Sequence, residues 1–395
     1  MSTVTRSPAA SHPADSPAHG WPPRGGRRKR ALVHRAVALA TCVGLGVAGC
    51  GSDDSSSSSS SETSSSRSSS ATASTGAGKA NTAEVVTAAN AFLKTLSDDQ
   101  KETAQYDFDD EAKAKGWSNF PTSFVERNGI EFADLDDDQK AAALKVMEAA
   151  LSEQGYEELE EIRIADAYLG EVGSSGSGGG PGGGDDYSAD KYFLALFGEP
   201  SETEQFMVQF GGHHAAYNIT YYKDDVSLSP TLTAIEPSEF ETDGKSYAPL
   251  QDKRDTTIAA IGSLGDSELE KAEIDGSFDD LLLGPGNDGP FPDPEGVVVG
   301  DLTEKQQDKV TAMIRTWVDD LDEEAAEALV AKYVSEYDKT YLGWSGATSI
   351  DNKETYVRVD GPSVWIEFSN QGGIVVDGVH QHTIFRDQTA DYGWN

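Results

Sequence analysis

Cysteine is almost absent. The 395 residues hold two, Cys42 and Cys50, too few for a disulfide framework or a cysteine-based zinc ribbon. Basic residues are scarce as well: 31 Lys and Arg face 68 Asp and Glu, a formal charge of −37. Such a surface repels a phosphate backbone, which excludes nucleic acid as a partner. The same charge suits an exported or salt-tolerant protein kept soluble by self-repulsion. Three catalytic signatures are missing: a phosphate-cradling glycine loop, a nucleophile-elbow serine and a His-Glu-x-x-His helix.

What is present begins with an export signal. Arg24, Arg27, Arg28, Lys29 and Arg30 form a basic start, and residues 31–49 are mostly small and apolar. That run is too short for a spanning helix and reads as a signal peptide. It ends in Val47-Ala48-Gly49-Cys50, a pattern that resembles a bacterial lipobox. Cys50 is therefore the expected lipidation site and new N-terminus, and the arginines leave the export route open. Residues 50–80 are rich in Ser, Thr, Gly and Ala, have nothing to bury and read as a flexible tether. The expected location is extracytoplasmic, anchored to the bacterial cell membrane by lipid. Cleavage removes Cys42 and more basic than acidic residues, so the mature chain is still more acidic. With Cys50 acylated, no thiol is left for catalysis.

Residues 81–395 are expected to form a single α+β domain, with helices packed on β-sheet. Val85, Ala89, Phe92 and Leu96 recur at helical spacing, as do Ala143, Leu144, Met147 and Leu151. The stretch 303–337 also reads as helix. Residues 191–197, 204–210 and 356–386 read as strand, and 173–184 as a glycine-rich loop. Short motifs suggest an internal repeat of 134–218 in 301–387. Asp134-Leu135 matches Asp301-Leu302, and Tyr168-Leu169-Gly170 matches Tyr341-Leu342-Gly343. Gly198-Glu199-Pro200-Ser201 is echoed by Asp360-Gly361-Pro362-Ser363. The expectation is a pseudo-twofold that brings related ends of two halves together.

Histidine carries the functional signal. Three of the seven leave with the signal peptide, and the remaining four form two pairs, His213 with His214 and His380 with His382. His380 and His382 are two apart in a strand-like run and share a face, which Ile384 and Arg386 continue. His213 and His214 are adjacent, so one of them joins a common site unless Gly211-Gly212 bends the chain. Convergence would suit one divalent transition metal (Zn, Cu or Fe), with Glu367 or Asp387 as a carboxylate ligand or general base. The same residues equally suit a metal-free site for a polar ligand, or structural hydrogen bonding. Arg386 has the fork to hold a carboxylate or phosphate. Arg127 and Arg358 have carboxylates to pair with in so acidic a chain. Trp117, Trp344 and Trp365 read as core or cleft walls. The acidic clusters 134–138 and 275–280 lack calcium-loop spacing and read as solvated faces.

Several of these motifs resemble one family, the domain of unknown function numbered thirty-five hundred, found in exported proteins of bacteria and fungi. The resemblance covers residues 81–392. It rests on Trp117-Ser118-Asn119-Phe120-Pro121, Gly212-His213-His214 with Asn218, Trp344-Ser345-Gly346, and Tyr356-Val357-Arg358-Val359 with Trp365-Ile366-Glu367. Its most specific part is His380-Gln381-His382-Thr383-Ile384-Phe385-Arg386-Asp387 with Asp391-Tyr392-Gly393. One departure is Gln205-Phe206-Met207-Val208-Gln209-Phe210, where the resemblance implies an aromatic run containing Trp. Asn218, Trp344 and Arg358 are the ligand-binding candidates, and the resemblance implies no established activity. A metal-dependent hydrolase or oxidoreductase, a lipoprotein that captures a metal or small anion, and an adhesive surface protein all remain.

Overall fold

The computed structural model describes residues 80–175 and 184–394. The expected signal peptide, Cys50, nearly all of the expected tether and most of the glycine-rich stretch lie outside the described residues. Among the described residues, eight helices cover a mixed sheet of twelve strands. The helices are α1 (Thr82–Thr95), α2 (Asp98–Ala104), α3 (Asp137–Ala150), α4 (Glu153–Ser175), α5 (Gln251–Gly262), α6 (Asp266–Ala272), α7 (Glu304–Val318) and α8 (Glu323–Val334). Local chemistry sets several starts. Ser97 with Gln100, Asp136 with Gln139 and Thr303 with Gln306 form capping boxes that satisfy the first free N–H groups of α2, α3 and α7.

Eight strands form the body of the sheet. The first four are β1 (Phe193–Phe197), β2 (Phe206–Gly211), β3 (Ala215–Tyr222) and β4 (Thr231–Ile235). The last four are β5 (Tyr341–Gly346), β6 (Thr355–Asp360), β7 (Val364–Gly372) and β8 (Val379–Asp387). Each set is an antiparallel meander, and the two meet where β4 pairs with β8. The order is β1-β2-β3-β4-β8-β7-β6-β5, extended by the short strands Gln105–Tyr106, Ile130–Glu131, Asp225–Ser227 and Val297–Val298. Gln105–Tyr106 runs parallel to β1 and makes the sheet mixed.

The pleat separates two faces. One face presents Leu194, Val208, Tyr217, Ile235, Val359, Ile366 and Phe385 to α1, α3, α4, α7 and α8, and forms the main core. The other presents Ala216, Leu232, Ala234, Trp365 and Ile384 to Trp117, Leu281 and Leu283, which come from irregular segments. Both faces are therefore buried, and β1 reads Phe-Leu-Ala-Leu-Phe without polar alternation. His380, His382 and Arg386 lie on the second face, away from the helices.

Some expectations shift. The stretch 303–337 is two helices, broken at Asp319–Asp322. Helix α4 runs through Ser175, into the stretch read as loop. The repeat motifs fall on elements that differ. Tyr168 is in α4 but Tyr341 opens β5; Gly198–Ser201 follows β1 but Asp360–Ser363 follows β6, the second strand of its meander. Only Asp134-Leu135 and Asp301-Leu302 occupy like places, each ending a short 3-10 turn before a helix.

Candidate metal centre

His214 sits in the tight connection between β2 and β3. Gly212 N–H donates to Ala215 O at 2.9 Å and closes the hairpin. A Cβ at Gly212 would lie 2.9 Å from the Tyr192 ring, so only glycine fits here without a shift. His214 O then accepts from Ala234 N–H at 2.7 Å, and Ala234 pairs with His382 on its other side. One central strand, β4, thus holds both histidine segments in register.

The imidazoles converge through Nε2. His380 Nε2 lies 3.2 Å from His214 Nε2 and 2.9 Å from His382 Nε2. All three residues are buried. Zinc–nitrogen bonds of about 2.05 Å require N···N edges of about 2.9 Å at 90° and about 3.3 Å at the tetrahedral angle. Both edges at His380 lie in that interval, and the three ligand atoms all lie within 4.8 Å of one another, so the group could hold one ion. Among the described residues, the group sharing this centre is His214, His380 and His382.

Each ring has a carboxylate on its Nδ1 side. Asp166 Oδ1 is 2.9 Å from His214 Nδ1, though off the line of a good hydrogen bond. Glu236 Oε2 is 3.5 Å from His380 Nδ1, an ion-pair distance. Asp280 Oδ1 is 2.7 Å from His382 Nδ1, with the side-chain amides of Gln371 and Asn119 at 3.0 and 3.3 Å. A carboxylate there favours a proton on Nδ1 and leaves the Nε2 lone pair facing the centre. Burial, then the charge of His213, pushes the His214 imidazole down to about 4, against the pull of Asp166. Burial, then its histidine neighbours, carries His380 well below its ordinary value. Both rings are neutral at pH 7, the state a ligand requires. Burial alone would raise the Asp166 carboxyl, but attraction and hydrogen bonds from His214 and His213 hold it well below the usual range.

His213 plays another part. Its Nδ1 lies 3.2 Å from Asp166, its ring stacks on His214 at 3.7 Å, and Tyr187 meets it edge-on at 4.8 Å. It is outside the group of three, but with Asp166 and His214 it forms a second buried group that could hold an ion. Behind this turn, the Arg127 guanidinium donates to Gly212 O at 2.8 Å and to Ser118 O at 2.8 Å, as well as to Phe120 O. Arg127 hydrogen-bonds backbone carbonyls, not the carboxylates expected from composition; burial lowers it to about 10.

The other candidates lie apart. Glu367 is buried and accepts from Leu283 N–H, Trp365 Nε1–H and Tyr356 O–H, each at 2.8 Å, and from Leu282 N–H. It is thus a fastening for the segment beginning at Asp280. Arg386 shares the histidine face, but Ile384 intervenes and its fork is held by Asp288, with Tyr392 Oη at 3.3 Å. Asp387 points to the helical face, accepting from Tyr333 O–H at 2.8 Å and Lys332 Nζ at 2.9 Å. Asn218 donates to Pro230 O and accepts from Gln209. Trp344 donates to Leu269 O at 3.0 Å on the helical side. Arg358 pairs with Glu295 at 3.0 Å and lies over Trp365.

Sequence reasoning missed Asp166, Glu236 and Asp280. Asp280 belongs to an acidic run whose pattern reads as a solvated face, yet its carboxylate ends on His382. Asp166 is one of many acids in α4, and nothing in its local pattern marks it.

No curated protein and no solved structure matches the chain. One family does, over residues 78–394, which include all of the described part. The chain belongs to the family described as protein of unknown function, DUF3500.

Proposed function

We propose that this is an extracytoplasmic lipoprotein whose three-histidine centre binds one divalent transition metal (Zn, Cu or Fe) and acts as a metal-dependent enzyme on a small ligand. The observation that carries the proposal is the meeting of three buried imidazoles, with His380 Nε2 at 3.2 and 2.9 Å from the Nε2 atoms of His214 and His382, in a group that could hold an ion. Three imidazoles with no fourth protein ligand in the group match catalytic rather than structural zinc sites. A metal there would supply Lewis acidity or a bound water of lowered pKa. The chain's own contribution is to orient the rings through Asp166, Glu236 and Asp280. Asp280, with 42% of its side chain exposed, marks the side on which the centre approaches solvent.

Elemental analysis of untagged protein is the test. Wild type should carry about one equivalent of metal after supplementation, while His380→Ala and His382→Ala should carry almost none. Metal-free wild type would leave the histidines as a polar-ligand site, the second class open from the sequence.

The anchor belongs to the same proposal. Among the described residues no helix is long and apolar enough to cross a membrane. Attachment would therefore rest on the lipid at Cys50 and the tether. Cys50→Ala should abolish partition into the detergent phase; retention there would reject the anchor.

A further inference from the structure

His214 belongs to two groups that could hold an ion. Its Nε2 faces the three-histidine centre. With Asp166 and His213 it forms a second group, all buried, whose ligand atoms lie within 4.8 Å of one another. Asp166 Oδ1 is 2.9 Å from His214 Nδ1 and 3.2 Å from His213 Nδ1. Both lengths fall among the ligand-to-ligand edges around one zinc-sized ion, about 2.9 to 3.3 Å. The carboxylate is held in this orientation. Its Oδ2 accepts from Tyr192 O–H at 2.7 Å and from the His214 backbone N–H at 3.3 Å, which leaves Oδ1 facing the two rings. His214 Nδ1 is buried yet makes no hydrogen bond, because its direction misses Oδ1. A buried polar atom without a partner is unfavourable, and an ion beside it removes that penalty.

We propose that Asp166 Oδ1, His213 Nδ1 and His214 Nδ1 form a second site, for a divalent copper or zinc ion, and that the His214 ring bridges it to the ion of the three-histidine centre. Two ring nitrogens and a carboxylate oxygen suit these ions. The two nitrogens of one imidazole would set the ions about 6 Å apart. A ring that binds through both nitrogens has given up its N–H proton, so one proton leaves His214 for solvent as the second ion enters. Charge then balances within the buried site, since the carboxylate and the imidazolate offset the two positive charges of the ion. The lost proton and the neighbouring ion make this the weaker site, filled in titration and emptied on desalting.

The inference rests on the metal reading of the three-histidine centre, and its test separates the two. Cu(II) is titrated into metal-free, untagged protein and followed by electron paramagnetic resonance. The first equivalent should give the full signal of an isolated ion. The second should bind and remove most of that signal at low temperature, because an imidazolate couples the spins of the ions it joins. His213→Gln should keep the first equivalent and its signal and weaken the second by about tenfold or more, since even an outer partner of a metal is worth that much. Binding that stops at the first equivalent, or a second that adds its signal in full, overturns the bridge with the three-histidine centre intact. Wild-type spectra decide this whether or not the variant folds. Signal loss undiminished in His213→Gln overturns the assigned ligands. Protein that takes up no copper overturns the metal reading, and the second site with it.

Discussion

Asp166 Oδ1 lies 2.9 Å from His214 Nδ1, on the side of the ring away from His380. The carboxylate comes from α4 on one side and the histidine from a β-hairpin turn, 48 residues later. Tyr192 O–H, at 2.7 Å, fixes the other carboxylate oxygen. Asp166→Asn keeps the shape and removes the charge. Metal affinity, measured by chelator competition, should fall about 10- to 100-fold. Unchanged affinity would show that Asp166 does not tune the ring.

The metal-free protein should lose stability on mild acidification. His214 has a folded pKa of about 4 against about 6.5 unfolded. Between these values the unfolded chain binds the proton and the folded chain does not. Stability from this group is therefore complete above about pH 6.5 and is lost as pH falls towards 4, by about 3 kcal/mol in all. His380, shifted the same way, adds to the loss. Chelator-treated protein melted at pH 7, 5.5 and 4.5 should show a falling midpoint, and His214→Gln should flatten the slope. A midpoint indifferent to pH across this window would contradict it.

Glu367 should act through Asp280. Its carboxylate gathers the N–H groups of Leu282 and Leu283, directly after the residue that meets His382. Glu367→Gln puts an NH2 group among donors and releases that segment. Metal affinity should fall by about tenfold, and Asp280→Asn on top should add little, because both act on His382. Fully additive effects in the double variant would mean that Glu367 and Asp280 work independently.

Lys253 is a structural matter on the opposite face. It is fully buried, pairs with Glu158, and donates to Asp320 Oδ2 at 3.1 Å. Burial opposes its charge, but the two carboxylates outweigh this and raise its pKa. Lys253→Met leaves two buried carboxyl groups without a cation and should cost about 3–5 kcal/mol in denaturant unfolding. Metal content per folded molecule should not change. A loss below 1 kcal/mol would show that the carboxyl groups are satisfied by protonation.

Several elements were legible because their signal is local. The helical spacing of Val85, Ala89 and Phe92 became α1, and that of Ala143 and Met147 became α3. Strand β8 followed from the alternation that places His380, His382 and Arg386 on one face. Strands β3 and β4 were not read, because both of their faces are covered and alternation disappears. The repeat motifs fall on unlike elements for a related reason. Short apolar strings recur in any buried strand, and their order along the chain does not fix their place in a sheet.

By itself the sequence determined the α+β class, the family resemblance and the histidines, whose rarity marked them. It also limited His380 and His382 to a common face, since the strand period of two is a property of the backbone. Tertiary structure alone decided that His214, and not His213, completes the group, because that follows from the turn at Gly212 and the placement of Ala234 between His214 and His382. It alone selected Asp166, Glu236 and Asp280 from 68 acidic residues. A carboxylate becomes a partner of a ring by lying within a few ångströms of it. In a sheet built from two meanders, that distance is set by strand order and register, which no local pattern encodes.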